Sequence, residues 1–330
     1  MTTAQVLAEF PRLRVLVVGD VCLDRWCRYD PALADPSRET GIPRIAVVAT
    51  ETTPGAAGTV ASNVAALKAR ASVLGVVGTD GFGWELERAL EQRGISGNLL
   101  VHASGIPTFT YTKLINRASG EEDLPRVDFV YAQPLPEDVD CELVRRLHQA
   151  APRHDVILVS DQAETQSGGV VTPRMRAALA RIARERPETV VWVDSRLRAE
   201  HFRRVIVKPN RAEAEAACLR AIGRVDYEEL RRLTEAPLLV ITHGGKGALV
   251  VAERGSEWAA TRHEPHPVDI CGAGDSFSAG AALALKVTGD PLAAARFGNL
   301  VASITIMKKG TGTASPEEVM GALLESRLLP

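Results

Sequence analysis

The stretch VDICGAGDSFSAG, residues 268–280, holds the chemistry that stands out most in this chain. Gly272, Ala273 and Gly274 are small enough for consecutive backbone N–H groups to turn towards one point, and the helix-like run after them adds the positive end of its dipole. Such a nest suits the negative charge that spreads over a phosphoryl group in transfer, with Asp275 at its rim as a proton acceptor. The same letters also fit a glycine turn followed by an aspartate capping a helix. The four residues alone leave both readings open.

A second candidate is KPNRAE, 208–213, in which Asn210 and Glu213 stand three apart. That spacing describes a capping box at a helix start, and it equally places a carboxylate beside whatever sits at that helix end. Other signatures are missing. GxxxxGK[ST] does not occur, and the first apolar strand runs into GDVCLD without the glycine spacing of a dinucleotide fingerprint. A P-loop enzyme and a nicotinamide oxidoreductase therefore have no support. The five cysteines, Cys22, Cys27, Cys141, Cys218 and Cys271, form no CxxC pair, which argues against a disulfide framework and a structural zinc site. Cys271 lacks a basic partner and reads as a small buried thiol rather than a nucleophile.

Positioning such residues needs a rigid scaffold. Strands are expected at 13–18, 72–77, 155–160, 189–194, 204–208 and 237–242. Helices are expected near 57–68, 83–93, 137–150, 174–186, 211–221, 274–287, 291–307 and 316–326. Continuous apolar strands alternating with helices predict an α/β, doubly wound, mostly parallel sheet with helices on both faces. The polar residues at its strand ends, where such sheets collect ligands, are Asp20, Asp161, Asp194, Asn210 and Thr242. Segments 25–53 and 106–131 have strand character without following helices, and patterns such as TFTYTKLI suit exposed antiparallel strands. They predict a small β lid over a site or a dimerisation surface, within a single domain over 1–330.

Composition narrows the function classes. Hydrophobic residues make up 45% of the 330 residues and charged residues 24%, and 39 basic against 41 acidic residues leave a net charge of −2. That balance suits a soluble globular protein and gives no footprint for nucleic acid. The N-terminus lacks the charged head and apolar run of a signal peptide, and no stretch approaches the roughly 20 apolar residues of a membrane span. The expected location is cytoplasmic, with no membrane partner.

In order, GDVCLDR (19–25), TPGAAGTVASN (53–63), SD (160–161), KPNRAE (208–213), ITHGGKGALVV (241–251), GAGD (272–275) and NLVASITIMKKGTGTASP (299–316) resemble the ribokinase-like, or PfkB-type, carbohydrate kinases from about residue 13 to 320. Within them, RVLVVGDVCLDRW, LPRVDF and KKGTGTASP look most like the D-glycero-D-manno-heptose-7-phosphate kinase domain, without the nucleotidyltransferase domain sometimes fused to it.

The resemblance implies ATP-dependent phosphorylation of a sugar or sugar-phosphate hydroxyl. Asp275 matches the base, and Gly272, Ala273 and Gly274 the anion hole. Asn210 and Glu213 match the element that positions ATP phosphates and hydrated Mg²⁺. Thr242, Gly244, Gly247 and Asn299 match nucleotide-side positions, and Asp269 with Gly310 a monovalent-cation element for K⁺. Asp24 matches the carboxylate on the sugar hydroxyls, with Gly55, Ala56, Thr59, Asn63, Arg126 and Asp161 also on the substrate side. Arg126 and Asp128 either reach the substrate or pair with each other.

Departures gather on that side. The family's loop reads GG with Asn three residues later, whereas Ala56 and Thr59 stand here, and Glu164 replaces a Lys. The machinery of transfer thus looks intact while recognition of the acceptor is changed. A non-catalytic sugar or nucleotide sensor on the same fold is the competing reading.

Overall fold

The computed structural model describes residues 1–162, 168–262 and 264–328. The first half contains strands β1 (Arg14–Gly19), β2 (Val21–Tyr29), β3 (Val47–Ala56), β4 (Arg70–Leu74), β5 (Val76–Gly78), β6 (Val101–Ala103), β7 (Thr110–Asn116) and β8 (Val127–Phe129). The second contains β9 (Val156–Asp161), β10 (Val190–Ser195), β11 (Ile206–Val207), β12 (Leu238–Thr242), β13 (Ala248–Ala252) and β14 (Gly255–Ala259). Helices α1 (Thr3–Glu9), α2 (Ala57–Ala66), α3 (Gly81–Glu91), α4 (Glu137–Ala150) and α5 (Pro173–Glu185) are followed by α6 (Arg211–Ile222) and α7 (Tyr227–Leu233). The chain closes with α8 (Ala273–Thr288), α9 (Pro291–Thr305) and α10 (Pro316–Leu328).

Among the described residues the main sheet has eight strands in the order β14-β13-β12-β11-β10-β9-β1-β4. From β4 to β12 all pairings are parallel, and the β13–β14 hairpin adds two antiparallel strands at one edge. Alternation along each strand sends side chains to two separate cores. Val15, Val17, Val156, Leu158 and Trp192 pack with α1, α2, α3, α8 and α9 on one face. Leu16, Val18, Ile157, Val159, Val191 and Val193 pack with α4, α5, α6 and α7 on the other. Helices therefore cover both faces, as the unbroken apolar strands require.

The segments at 25–53 and 106–131 meet in a second sheet, ordered β3-β2-β7-β8. β2 pairs β7 in parallel, which corrects the expectation of antiparallel strands throughout, while β3 and β8 flank that pair antiparallel. β2 leaves β1 after a single residue, and both central strands rise in the same direction from the main sheet. The lid thus springs from the carboxyl end of β1.

Candidate active site

The start of α8 settles the ambiguity of the glycine turn. Gly272 occupies the N-cap position with φ 77° and ψ 6°, a left-handed conformation that glycine takes without strain, and no side chain caps the helix. Asp275 is the third helical residue, so the reading of it as the capping aspartate is corrected. Its carboxylate is free for other work. The Ala273 amide reaches back to Ile270 O at 3.2 Å, whereas first-turn amides such as those of Gly274 and Asp275 have no intrahelical acceptor. Donors and dipole converge beside a half-buried carboxylate. Burial and then Asp194 push the Asp275 pKa up to about 7, with Asp24 adding to the rise and Lys208 and Arg196 opposing it.

Lys208 is the site residue that sequence reasoning passed over. It follows β11, buried, with Nζ 2.7 Å from Asp194 Oδ2 at the end of β10. A Cβ on Gly274 would lie 3.3 Å from that ammonium and 3.7 Å from Asp194 Oδ2, so this glycine lets the α8 backbone rest on the ion pair. Burial opposes the charged lysine, but Asp194 outweighs it, with Glu213 and Asp275 adding to a raised pKa. The ammonium is thereby kept protonated beneath the nest. The signal was present in the sequence: a charged residue ending the apolar strand RVIVK, two residues before the singled-out Asn210.

Asn210 and Glu213 form the capping box of α6. Asn210 Oδ1 accepts from Glu213 N at 2.9 Å, and Glu213 Oε2 accepts from Asn210 N at 2.7 Å. One Glu213 oxygen is thus committed, and burial raises the pKa of the group. Thr242, at the end of β12, bridges to Asn210 through backbone. Gly244 and Gly247 bound the short turn that follows, and Gly247 packs against Ala259 O. Asn299, on α9, is buried rather than a solvated helix residue, and its Nδ2 donates to Ala259 O at 2.9 Å. It lines an open cleft of about 930 Å³ with Ala260, Thr261, Ser303 and Lys308.

On the lid side, Asp24 stands in a cross-strand row with Thr53, Tyr111 and Asp128. A Cβ on Gly55 would meet the Asp24 carboxylate at 2.6 Å, so a side chain there would push that carboxylate aside. Burial raises the Asp24 pKa to about 6, against the Cys22 thiol, Lys113 and Arg126. Ala56 adopts φ 52° and ψ −117°, a region that alanine rarely visits. Thr59 is buried, and its methyl lies 3.4 Å from where a Cβ of Gly272 would stand, which joins the α2 loop to the nest. Asn63, also buried, donates to Thr59 O at 3.0 Å and leaves Oδ1 without a partner among the described residues.

Two residues are placed differently. Arg126 pairs with Asp128 at 2.7 Å and stacks 4.6 Å over the Tyr111 ring, the pairing reading of the two offered. Asp161 is buried against Arg198, and its Oδ2 accepts from Ser195 Oγ at 2.6 Å. Glu164 lies outside the described residues.

Asp269 and Gly310, 41 positions apart, are brought together: Gly310 N donates to Asp269 Oδ2 at 3.1 Å and Cys271 N to Oδ1 at 2.9 Å. Cys271 is exposed, not buried as expected, because it precedes the helix at the mouth of the site. Desolvation and then Asp269 push its pKa up, so it stays a thiol.

The family described as pfkB family carbohydrate kinase matches residues 13–318. The bifunctional protein HldE of Bradyrhizobium diazoefficiens is 31% identical over 319 residues, 94% of this chain and 63% of that protein. The bifunctional protein HldE of Caulobacter sp. is 34% identical over 331 residues, 97% of this chain and 64% of its own. The chain therefore spans less than two thirds of the length of these relatives. Among solved structures, ribokinase from Thermotoga maritima superposes with a TM-score of 0.67 at 20% identity, covering 94% of this chain and 99% of that one. Phosphofructokinase-2 from Escherichia coli, solved in complex with potassium, gives 0.71 at 19% identity, covering 95% and 99%. At such identities the likeness shows the fold.

Proposed function

The chain belongs to the pfkB family of carbohydrate kinases, and on that premise we propose that it transfers the γ-phosphoryl group of ATP to a sugar hydroxyl, with Asp275 as the base. One observation supports this above the rest. A half-buried carboxylate with a pKa of about 7 shares its helix turn with unpaired amides and rests over a buried ammonium. A pure binder has no need of such a poised base.

In the proposed reaction Asp24 accepts hydrogen bonds from sugar hydroxyls, since a carboxylate can take two adjacent donors. Asp275 accepts the proton of the attacking hydroxyl as its oxygen bonds to the γ-phosphorus. The bond from that phosphorus to the bridging oxygen of ADP breaks, and Asp275 later returns its proton to water. The amides of the Gly272–Gly274 turn and Lys208 hold the charge on the transferring group. The lid excludes water, which strengthens these interactions.

Mg²⁺ suits this site in one form. Among the described residues no cluster of three or more His, Cys, Asp or Glu side chains is placed to hold a metal. Mg²⁺ keeps several waters and binds through one or two carboxylates plus phosphates. Glu213, with one oxygen on the Asn210 amide and the other uncommitted by that box, fits such an arrangement. When bound, the ion neutralises phosphate charge. Asp269, with the loop at Gly310, is the proposed place for K⁺.

The remaining features of the reading are a single kinase domain over 1–330, a cytoplasmic location where ATP is available, and a homodimer through the lid. No described helix is long and apolar enough to cross a membrane. β3 is the edge of the lid sheet and exposes Val47 and Val48, the kind of edge that pairs or is covered. ADP release from ATP over a panel of sugars, with Asp275→Asn as control, tests the function. A panel that releases no ADP, or a control as active as the parent, would remove the proposal.

A further inference from the structure

The turn at Gly310 and Thr311 touches both the lid and the start of α8. On its lid side, a Cβ on Gly310 would stand 3.9 Å from Trp26 Cζ2, an ordinary van der Waals distance, so the Trp26 ring covers that face of the turn. On the other side, the Thr311 methyl lies 3.3 Å from where a Cβ of Gly272 would stand, and Gly272 is the residue at the N-cap of α8. Asp269 clamps the same two segments together, since its carboxylate accepts from Gly310 N at 3.1 Å and from Cys271 N at 2.9 Å. A continuous row of contacts therefore runs from the lid to the glycine turn before Asp275.

The lid end of that row is the strand that carries Asp24. Trp26 follows Asp24 by two residues on β2, so strand alternation puts both side chains on one face of the lid. In the register Trp26 stands opposite Lys113 of β7 and Glu51 of β3. Electrostatics agree that this face looks towards the turn before α8. Lys113 acts on both the Asp24 carboxylate and the Cys271 thiol, and Asp24 acts on Asp275. Two residues of paired strand leave little play, so whatever fixes Asp24 also fixes Trp26. The turn it presses on has few side chains to hold it, because Gly310 and Gly312 have none. Precision matters at the far end of the row, where a misplacement of about 1 Å in a transfer site can cost about 10²-fold in rate.

We propose that Trp26 is a positioning residue for the transfer: through Gly310 and Thr311 it fixes the Gly272 turn, so that the strand holding Asp24 also sets the anion nest. The inference rests on the proposed kinase reading and adds to it a mechanical link between the acceptor side and the donor side of the site. Trp26 acts through the turn, so its loss is expected to cost turnover rather than affinity for either ligand.

Amide hydrogen exchange on the parent chain and on Trp26→Ala tests the link without any turnover. The amides of Cys271, Ser276 and Gly310 are hydrogen bonded, to Asp269, Gly272 O and Asp269. They are expected to exchange at least tenfold faster in Trp26→Ala, while β9 and β10 keep the parent's rates, and Trp26→Phe, which keeps an aromatic face, is expected to recover most of the protection. In kinetics, Trp26→Ala is expected to lower kcat at least tenfold with calorimetric affinities for ATP and acceptor within a few-fold of the parent. Thr311→Ser removes only the methyl against Gly272 and should lower kcat in the same way. Because both residues lie on one row of contacts, the double variant should lose less than the product of the two single losses. Unchanged exchange at the three amides, faster exchange spread evenly over the chain, an unchanged kcat, or losses that multiply would each overturn the inference. A parent that turns over no acceptor sinks the kinase reading, and the exchange rates then decide the link by themselves.

Discussion

Ala56 is held at φ 52° and ψ −117° as it enters α2, between Gly55, which touches Asp24, and Ala57, whose amide donates to Asp20 O at 2.9 Å. Both neighbours are fixed by the site, so alanine cannot relax by moving the chain. Backbone strain of this kind costs about 1–3 kcal/mol. Glycine removes it, while the freer unfolded chain takes back about 0.4–1 kcal/mol. Ala56→Gly is therefore expected to stabilise the protein by about 1 kcal/mol, or a rise in Tm of about 2 °C for a chain of this size. Urea denaturation followed by circular dichroism gives the free energy, and heating at one fixed scan rate gives Tm. Gly55→Ala is the matched control: its Cβ would meet the Asp24 carboxylate at 2.6 Å, and both stability and sugar affinity are expected to fall. An Ala56→Gly variant less stable than the parent at an unchanged denaturant slope would refute the reasoning, because strain would then not be what that backbone stores.

The remaining predictions concern the transfer site. Because burial raises the Asp275 pKa to about 7, kcat/KM is expected to climb with pH through that value, and a profile flat from pH 5 to 9 would exclude Asp275 as the titrating base. The folded pKa lies above the ordinary 3.8, so this group's contribution to stability is full below that value and is lost as pH rises through about 7. Asp275→Asn should thus melt above the parent at pH 8, with the gap closing towards pH 4, as thermal scans across pH would report. Lys208→Met leaves the Asp194 carboxylate buried and unpaired, a change that costs about 3–5 kcal/mol and should move the acid limb of the pH profile upward. Gly274→Ala sets a methyl 3.3 Å from Lys208 Nζ, and a fall in kcat of tenfold or more is expected at near-unchanged stability.

The sheet was legible because its strands are apolar on both sides, and the helices because their small or amphipathic runs are bounded by Asn210, Asp290 and similar caps. A strand after Gly247 was expected and is β13, but β14 was missed: GSEWA is polar and one-sided, as an edge strand can afford to be, and carries no buried period. α7 was missed because seven residues barely give two turns of pattern. In the site, Gly272 and Asp275 were visible as letters, but which one caps the helix depends on a backbone angle that letters do not state. Lys208 looked like the end of a strand until its partner Asp194, from another strand, was in place. The tie of Asp161 to Arg198 was equally hidden, since the arginine comes from another segment and no local spacing announces it.

The central claim is that Asp275 is the base of a phosphoryl transfer, and the direct measurement is ADP release by Asp275→Asn with an acceptor the parent uses, beside its ATP affinity by calorimetry. General base catalysis contributes about 10²–10⁴-fold, so turnover is predicted to fall at least a hundredfold while ATP affinity stays within a few-fold. Turnover within a few-fold of the parent would contradict the account, whatever the fold and its relatives suggest.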